Sequence, residues 1–321
     1  MLRRLFVPAA AAALLLAACG DDSSSGPSTV PIVTTTIAKG TGELPAVAGA
    51  FGTKPTVVPT QMAAPTQLVV KALSEGTGKV VASGDTLLVN YHGSIWETGK
   101  IFDNSFDRGK PFLVKIGAGQ VIKGWDEGLV GQKTGGRILL AIPPDKGYGP
   151  QGQPQAGIKG TDVMVFVVDL VGAFGPTSSA EGTPVDPDPA LPAVTAAAGQ
   201  KPAIATPSGP APTSLVTKVL LQGAGAELKS GQTAVVQYVG VIWGSGKLFD
   251  SSWDRGAVAT LSIGGGQVIK GWDEGLVGQK VGSRVLLVVP PDKGYGSQGV
   301  PKAGIAGTDT LVFVIDLLAA V

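Results

Sequence analysis

The chain of 321 residues is poor in the side chains that most enzyme chemistry uses, with one histidine and one cysteine. A single cysteine excludes an intrachain disulfide, and we expect neither cysteine-based catalysis nor a cysteine metal cluster. His92 alone forms no ligand set or triad, and we expect it to be solvated or hydrogen-bonded on a strand. No phosphate-binding loop, dinucleotide fingerprint or zinc-ligand spacing occurs. The sequence therefore predicts no metal and no cofactor, and any reaction must proceed without a nucleophile.

Charge is also scarce, because charged residues make up 15% of the chain and the formal net charge is +1. The basic residues form no stripe or patch along the sequence, so we predict no nucleic-acid partner.

What the chain does have is a repeat. Residues 121–158 and 268–305 align without a gap, and 30 of the 38 positions are identical. The offset of 147 residues holds from Pro65/Pro212 through Asp169/Asp316. A period of this length is too long for a solenoid and fits a duplicated globular domain.

The N-terminus has the pattern of an export signal. Arg3 and Arg4 precede an apolar stretch, Leu5–Ala18, which ends in small residues before Cys19. This arrangement resembles the bacterial lipoprotein signal, which implies cleavage after residue 18 and a lipid on Cys19. The alternative is an ordinary cleaved signal in which the cysteine is incidental. We expect an extracytoplasmic protein that is anchored to the membrane through Cys19.

Composition divides the remainder of the chain. Residues 19–63 are rich in small residues and proline and are predicted to be a tether, with a possible extra strand near 45–60. We place the first domain at 64–174, a semi-extended Pro/Ala-rich linker at 175–210 and the second domain at 211–321.

Each unit is predicted to contain strands and one short helix. Strands are predicted in the first unit at 68–73, 86–92, 112–116, 137–142 and 163–171, and in the second at 215–220, 233–239, 259–263, 284–289 and 310–318. Residues 120–130 place their apolar side chains near one helical face. One short helix on an antiparallel sheet predicts an α+β fold.

The residues that duplicate are largely aromatic and lie next to glycine. On pattern alone they could simply fill a core. However, the ordered segments VNYHG, GKIFDNSFDRGKPF, GQVIKGWDEGL, PPDKGYG and VMVFVVDL resemble an FKBP-type peptidyl-prolyl isomerase, and the second unit carries a matching set. The resemblance covers roughly 65–171 and 212–318. It implies two antiparallel half-barrels, each wrapped around one short helix, that isomerise proline-containing polypeptide clients and bind the macrolide inhibitors of the family.

The resemblance also implies site residues by position. The implied catalytic residues are Tyr91, Phe102, Asp103, Trp125, Tyr148 and Phe166 in the first unit and Tyr238, Phe249, Asp250, Trp272, Tyr295 and Phe313 in the second. The implied substrate-binding residues are Arg108, Phe112, Val121, Ile122 and Ile158 in the first unit and Arg255, Val268, Ile269 and Ile305 in the second. Trp125 would form the floor, Arg108 would fix Asp103, and Tyr148 would donate to a substrate carbonyl.

Three functions remain open at this point. The first is a folding enzyme for exported proteins, and the second is a binding module or holdase that captures proline-containing segments. The third is a clamp in which both domains hold one client. The units differ at one wall position, since Ala259 stands where the first unit has Phe112. We therefore expect a wider second pocket with altered preference.

Overall fold

The computed structural model describes residues 44–321. The predicted signal at 1–18, Cys19 and the first part of the predicted tether lie outside the described residues. Within the described part of the chain, no helix is both long enough and apolar enough to cross a bilayer.

The first domain is built on a six-stranded antiparallel sheet. Its strands and helix are β3 (Val69–Ser74), β4 (Thr86–Ile95), β5 (Ile101–Asn104), β6 (Phe112–Lys115), α1 (Lys123–Leu129), β7 (Arg137–Ile142) and β8 (Met164–Phe174), after a hairpin of β1 (Ala46–Ala48) and β2 (Thr56–Val58). The sheet order is β3-β7-β8-β4-β5, and β6 also pairs with β4. The sequence missed β5, because this strand has only four residues and two of them are polar.

The second domain repeats this order. Its elements are β12 (Val216–Gln222), β13 (Thr233–Ile242), β14 (Leu248–Ser251), β15 (Ala259–Ser262), α2 (Lys270–Leu276), β16 (Arg284–Val289) and β17 (Leu311–Ala320), preceded by β9 (Thr183–Pro184), β10 (Val194–Thr195) and β11 (Ala203–Ile204). The sheet order is β14-β13-β17-β16-β12-β9, and β15 pairs with β13. The predicted fold, two antiparallel half-barrels that each enclose one short helix, is confirmed.

The helix of each domain packs on the inner face of its sheet. In the first domain, Trp125 and Leu129 belong to the buried core with alternate residues of β4, β7 and β8. Gly124 and Gly128 make this approach possible, because a Cβ added at Gly124 would lie 2.6 Å from the Ile142 side chain. The sheet and helix thus leave an aromatic surface on the concave side.

The outer face of the first sheet is covered by the β1–β2 hairpin. Leu44, Val47 and Val57 pack against a buried cluster that includes Trp96 and Leu139. A buried ion pair secures the contact, since Arg137 Nε donates to Asp169 Oδ1 at 2.6 Å and Arg137 Nη1 donates to the Gly49 carbonyl at 2.6 Å. Residues 44–63 are therefore folded onto the domain, at the positions where the sequence suggested an extra strand.

The segment 175–210, which composition suggests is a semi-extended spacer, instead packs on the second domain. Strand β9 extends the sheet by pairing with β12, and β10 pairs with β11 in a hairpin like β1–β2. The backbone N–H of Ala180 donates to Asp316 Oδ2 at 3.0 Å, and Leu191 joins an outer-face cluster. Proline content alone did not reveal this packing, because the few apolar residues of the segment are widely spaced.

The two domains meet through a small apolar interface. Leu88 of the first domain and Val235 and Ala319 of the second are buried in one cluster, with Phe174 and Val321 at its edge. Leu88 and Val235 occupy equivalent positions of the repeat, as do Phe174 and Val321. The domains therefore contact each other through equivalent parts of their sheets.

Candidate functional site

A pocket of about 860 Å³ opens on the concave side of the first domain. Strands β4, β5, β6 and β8, the start of α1 and the turns after β7 supply its lining. The lining residues are Tyr91, Phe102, Asp103, Phe112, Gly119, Gln120, Val121, Ile122, Lys123, Trp125, Gly147, Tyr148, Gln153, Gln155, Ala156 and Phe166. This volume falls within the range of small-molecule and peptide side-chain sites.

The aromatic side chains meet edge to face. The Trp125 ring lies 5.4 Å from Tyr91 and 5.3 Å from Phe166, with interplanar angles of 83° and 85°. Phe102 contacts Phe166 at 5.4 Å, and Phe112 contacts Tyr91 at 5.7 Å. Such contacts are favourable between rings and hold the walls in fixed orientations. Trp125 is 4% exposed, so it forms a dry floor between these walls.

One ion pair lies at the edge of this apolar surface. Asp103 accepts hydrogen bonds from the Tyr91 hydroxyl and from Arg108 Nη1, and Arg108 Nη2 donates to the Tyr91 hydroxyl oxygen at 2.7 Å. Burial, followed by the hydrogen bond to Asp103, raises the pKa of Tyr91 to about 12. The phenol is therefore neutral at physiological pH, and its hydroxyl orients the carboxylate.

Two of the hydrogen-bond donors that line the pocket, the Tyr148 hydroxyl and the Ile122 backbone N–H, have no partner among residues 44–321. The Tyr148 hydroxyl belongs to a half-exposed ring, and its pKa is raised by burial and then by the charge of Asp103. The backbone N–H of Ile122 lies at the start of α1, where intrahelical partners are lacking. Asp126 holds the preceding loop by accepting from the N–H groups of Gly117 and Gly119. Both groups are therefore able to donate a hydrogen bond to a ligand in the pocket.

The second domain repeats the same constellation. Trp272 lies 5.2 Å from Tyr238 and 5.3 Å from Phe313, and Phe249 contacts Phe313 at 5.4 Å. Asp250 again accepts from the tyrosine hydroxyl and from Arg255, and burial raises the pKa of Tyr238 to about 12.

The wall that Phe112 forms in the first pocket differs in the second domain. Phe112 begins β6 and packs on Tyr91, whereas Ala259 begins β15 and has no ring to offer. A second lining position also differs, because Gln153 of the first domain corresponds to Val300 of the second. The second site therefore has one side less enclosed by aromatic surface.

The structure brings together most of the side chains implied for the first unit. Arg108 and Ile158 are the exceptions, since neither lines the pocket: Arg108 contacts Asp103 from outside, and Ile158 lies in the core, 3% exposed. The sequence placed Gln153 near the pocket rim, and it missed Gly119, Gln120, Lys123, Gly147, Gln155 and Ala156. Most of these lie in turns whose path across the pocket mouth has no signature in local sequence.

The expectation for His92 is confirmed only in part, because the residue lies on strand β4 but is neither solvated nor, within the described chain, hydrogen-bonded through Nδ1. It is 3% exposed, its Nδ1 atom has no hydrogen-bond partner among the described residues, and burial lowers its pKa. Successive side chains of a strand point to opposite faces, so Tyr91 faces the pocket and His92 faces away from it. Across residues 44–321, no group of three His, Cys, Asp or Glu side chains is placed to hold a metal ion.

Comparison with known proteins agrees with this geometry. The family described as FKBP-type peptidyl-prolyl cis-trans isomerase matches residues 78–171 and 225–318. An FK506-binding protein of Streptomyces anulatus is 43% identical over 120 residues, which are 37% of this chain and 97% of that protein. A probable FK506-binding protein of Corynebacterium glutamicum is 46% identical over 123 residues, 38% of this chain and 99% of that protein.

A longer match spans both domains. Human peptidyl-prolyl cis-trans isomerase FKBP9 is 31% identical over 251 residues, which are 78% of this chain and 37% of the human protein. The chain belongs to the FKBP-type peptidyl-prolyl cis-trans isomerase family and carries two of its domains in tandem.

Proposed function

We propose that both domains catalyse cis–trans isomerisation of X–Pro bonds in polypeptide clients. The observation that carries the proposal is the duplicated site: a buried tryptophan floor, aromatic walls and one arginine-paired carboxylate recur at equivalent positions. Family membership supports the same reaction.

The chemistry matches what the site offers. X–Pro isomerisation takes tens to hundreds of seconds without a catalyst, against a barrier of ~18–20 kcal/mol for amide rotation. No covalent bond breaks, so no nucleophile or general base is needed. The planar amide carries charge on its carbonyl oxygen, and water stabilises that form. A dry pocket stabilises the planar form less than the twisted one, and the barrier falls accordingly.

Each side chain that the two domains share then has a defined part in the first pocket. Trp125 holds the proline ring, and Phe102 and Phe166 exclude water from it. Asp103, fixed by Arg108 and Tyr91, lies beside the rotating carbonyl. Tyr148 and the Ile122 N–H bind carbonyl oxygens of the flanking chain and hold it while the bond turns. The second pocket uses Trp272, Phe249, Phe313, Asp250 and Tyr295 in the same way.

The two pockets are proposed to differ in preference. Because Ala259 leaves the second site open on one side, we expect it to accept bulkier neighbours of the proline and to bind small ones less tightly. Both pockets are also expected to bind the macrolide inhibitors of the family; two relatives are named for binding FK506.

We also propose that the enzyme works outside the cytoplasm on exported proteins, held at the membrane by a lipid on Cys19. The N-terminal sequence pattern supports this location. Mass spectrometry of the purified protein tests it: a diacylglyceryl-cysteine at position 19 is the expected N-terminus, and an unmodified Cys19 would contradict the proposal.

A second function, capture of proline-containing segments without turnover, is favoured by one observation. The second pocket lacks the aromatic wall at Ala259, and in this function it would hold a segment loosely without turning its bond. In a clamp, both domains would hold one client at the same time, because the interface at Leu88 and Val235 keeps them together.

A paired assay on the full chain separates catalysis from capture. Isomerisation of a proline peptide and suppression of client aggregation are measured for the wild type and for Asp103→Ala/Asp250→Ala. Catalysis predicts that the double variant loses isomerase activity and keeps its aggregation suppression. A wild type that suppresses aggregation but does not accelerate isomerisation would leave only the capture function.

A further inference from the structure

The rim of the second pocket carries a lysine at a position where the rim of the first carries a glutamine. In the first domain, the turn Pro154–Ala156 places Gln155 in the pocket lining. In the second domain, the corresponding turn is Pro301–Ala303, and Lys302 takes the position of Gln155.

The two turns have the same backbone. The residue before each turn has φ −134° and ψ 84° at Gln153 and φ −136° and ψ 83° at Val300. The glycine after each turn, Gly157 or Gly304, has φ 71° and ψ 29°. Ile158 and Ile305 close both turns through matching bridges. Lys302 therefore leaves the backbone where Gln155 does, at the mouth of the site.

The positions of several lysines differ between the two domains. Lys110 and Lys159 of the first domain correspond to Ala257 and Ala306 in the second. Neither Lys110 nor Lys159 lines the first pocket, whereas Gln155 does. Two further lysines of the first domain, Lys79 and Lys115, are also replaced in the second, and the second domain has two lysines that the first lacks, Lys229 and Lys302. Of these two, only Lys302 takes the position of a pocket-lining residue.

No carboxylate in the described chain neutralises this charge. Lys302 is exposed and takes part in none of the ion pairs formed within residues 44–321. The carboxylate of the second site, Asp250, is already paired with Arg255. Lys270 at the start of α2, which corresponds to the lining residue Lys123, adds a second positive charge near the mouth. The mouth of the second pocket therefore carries the positive charges of Lys302 and Lys270, while its carboxylate, Asp250, is already paired with Arg255.

We propose that Lys302 is a specificity-determining residue that gives the second domain a preference for acidic residues next to the isomerised proline. The proposal rests on the proposed isomerase function and names part of its substrate class. An exposed lysine and a carboxylate attract each other weakly, and salt screens the attraction. We therefore expect a preference of about 1.5- to 5-fold at low ionic strength.

The test uses the full chain with the first site disabled by Asp103→Ala. A peptide series places Glu, or Gln as its neutral match, at each position from two before to two after the proline. For each pair, the ratio of kcat/KM values is measured at low and at high salt. We expect at least one position with a Glu/Gln ratio above one, and Lys302→Gln should lower that ratio toward one.

The reciprocal variant is the matched control. In the chain with the second site disabled by Asp250→Ala, Gln155→Lys should raise the Glu/Gln ratio at the same position, and high salt should reduce it. A ratio that neither substitution changes, or a change that salt leaves intact, would overturn the proposal and make Lys302 an ordinary solvated lysine.

A binding readout keeps this inference separate from the isomerase function. Peptide affinity is measured for the same variants by calorimetry. If no variant isomerises peptides but Lys302→Gln weakens binding of the Glu peptide relative to the Gln peptide, the charge preference stands and the isomerase function fails. If isomerisation is intact and relative affinities are unchanged, the charge preference fails alone.

Discussion

At the scale of single residues, the account depends on a carboxylate held by a tyrosine and an arginine. Asp103 and Asp250 stand in the same relation to their partners, although the flanking residues differ, with Phe106 in one domain and Trp253 in the other. The Arg108 guanidinium also lies 5.3 Å from the centre of the Tyr91 ring, which adds a cation–π contact. The carboxylate is thus fixed from two sides before any client binds.

The buried phenols predict a pH dependence of stability. Tyr91 and Tyr238 have pKa values of about 12 in the folded chain, against an ordinary value of 10.0. Between these values the folded state holds protons that the unfolded state has lost, so stability should fall as pH rises from 10 to 12. Phenolate absorbance followed in folded and denatured protein checks this. Tyrosines of the folded chain that titrate at or below pH 10 would contradict the account.

The residue at the wall position, Phe112 in the first domain and Ala259 in the second, should set the KM of each domain for a small proline peptide. Phe112→Ala, in a chain with Asp250→Ala, should raise the KM for a small proline peptide by about 3- to 30-fold, because a partly exposed ring contributes less than the ~3–5 kcal/mol of a buried one. Ala259→Phe, in a chain with Asp103→Ala, should lower KM.

Steady-state kinetics on peptides with alanine or leucine before the proline would measure both changes. Equal preference in the two domains before substitution would contradict the divergence that Ala259 is expected to cause.

At the scale of elements, the short helix sets the depth of the pocket. α1 has seven residues, and it lies close to β7 because Gly124 and Gly128 carry no side chain. Trp125 reaches the pocket floor from this position. The sequence could predict the helix from its apolar spacing, but the distance between helix and sheet depends on contacts across the core that no local pattern contains.

Gly124→Ala should therefore destabilise the first domain by about 1–3 kcal/mol, since a Cβ would meet the branched Ile142 side chain in a packed core. Gly265→Ala is the matched control, because its nearest neighbour would be Ser262 Oγ at 3.9 Å. Denaturant unfolding measures both. Equal stability of the two variants would show that the helix does not need this close approach.

At the scale of the whole molecule, the sequence predicted the duplicated domains but not how they are joined. The repeat and its motifs were sufficient for the fold and for most pocket residues. The segments outside the motifs were less predictable: residues 44–63 and 175–210 resemble tethers in composition, yet they cover the outer faces of the sheets. Scattered apolar contacts and hydrogen bonds to a buried ion pair secure them, as where Arg137 donates to the Gly49 carbonyl, and such pairings are distant in sequence.

The interface predicts that the two domains move as one body. Leu88→Asp would place a charge in the contact with Val235 and Ala319, and we expect an increased radius of gyration by small-angle X-ray scattering. Val171→Asp, an exposed position on β8, is the control and should leave the radius unchanged. The same radius for wild type and Leu88→Asp would contradict a fixed arrangement.

The central claim is that the chain carries two working isomerase sites, and catalysed exchange between cis and trans proline peptides tests it most directly. Exchange NMR on the full chain gives the rate for wild type, Asp103→Ala, Asp250→Ala and the double variant. The account predicts that each single variant keeps part of the activity, that the two parts together approach the wild-type rate, and that the double variant loses nearly all of it. A single variant that is already inactive, or a double variant as fast as wild type, would contradict it.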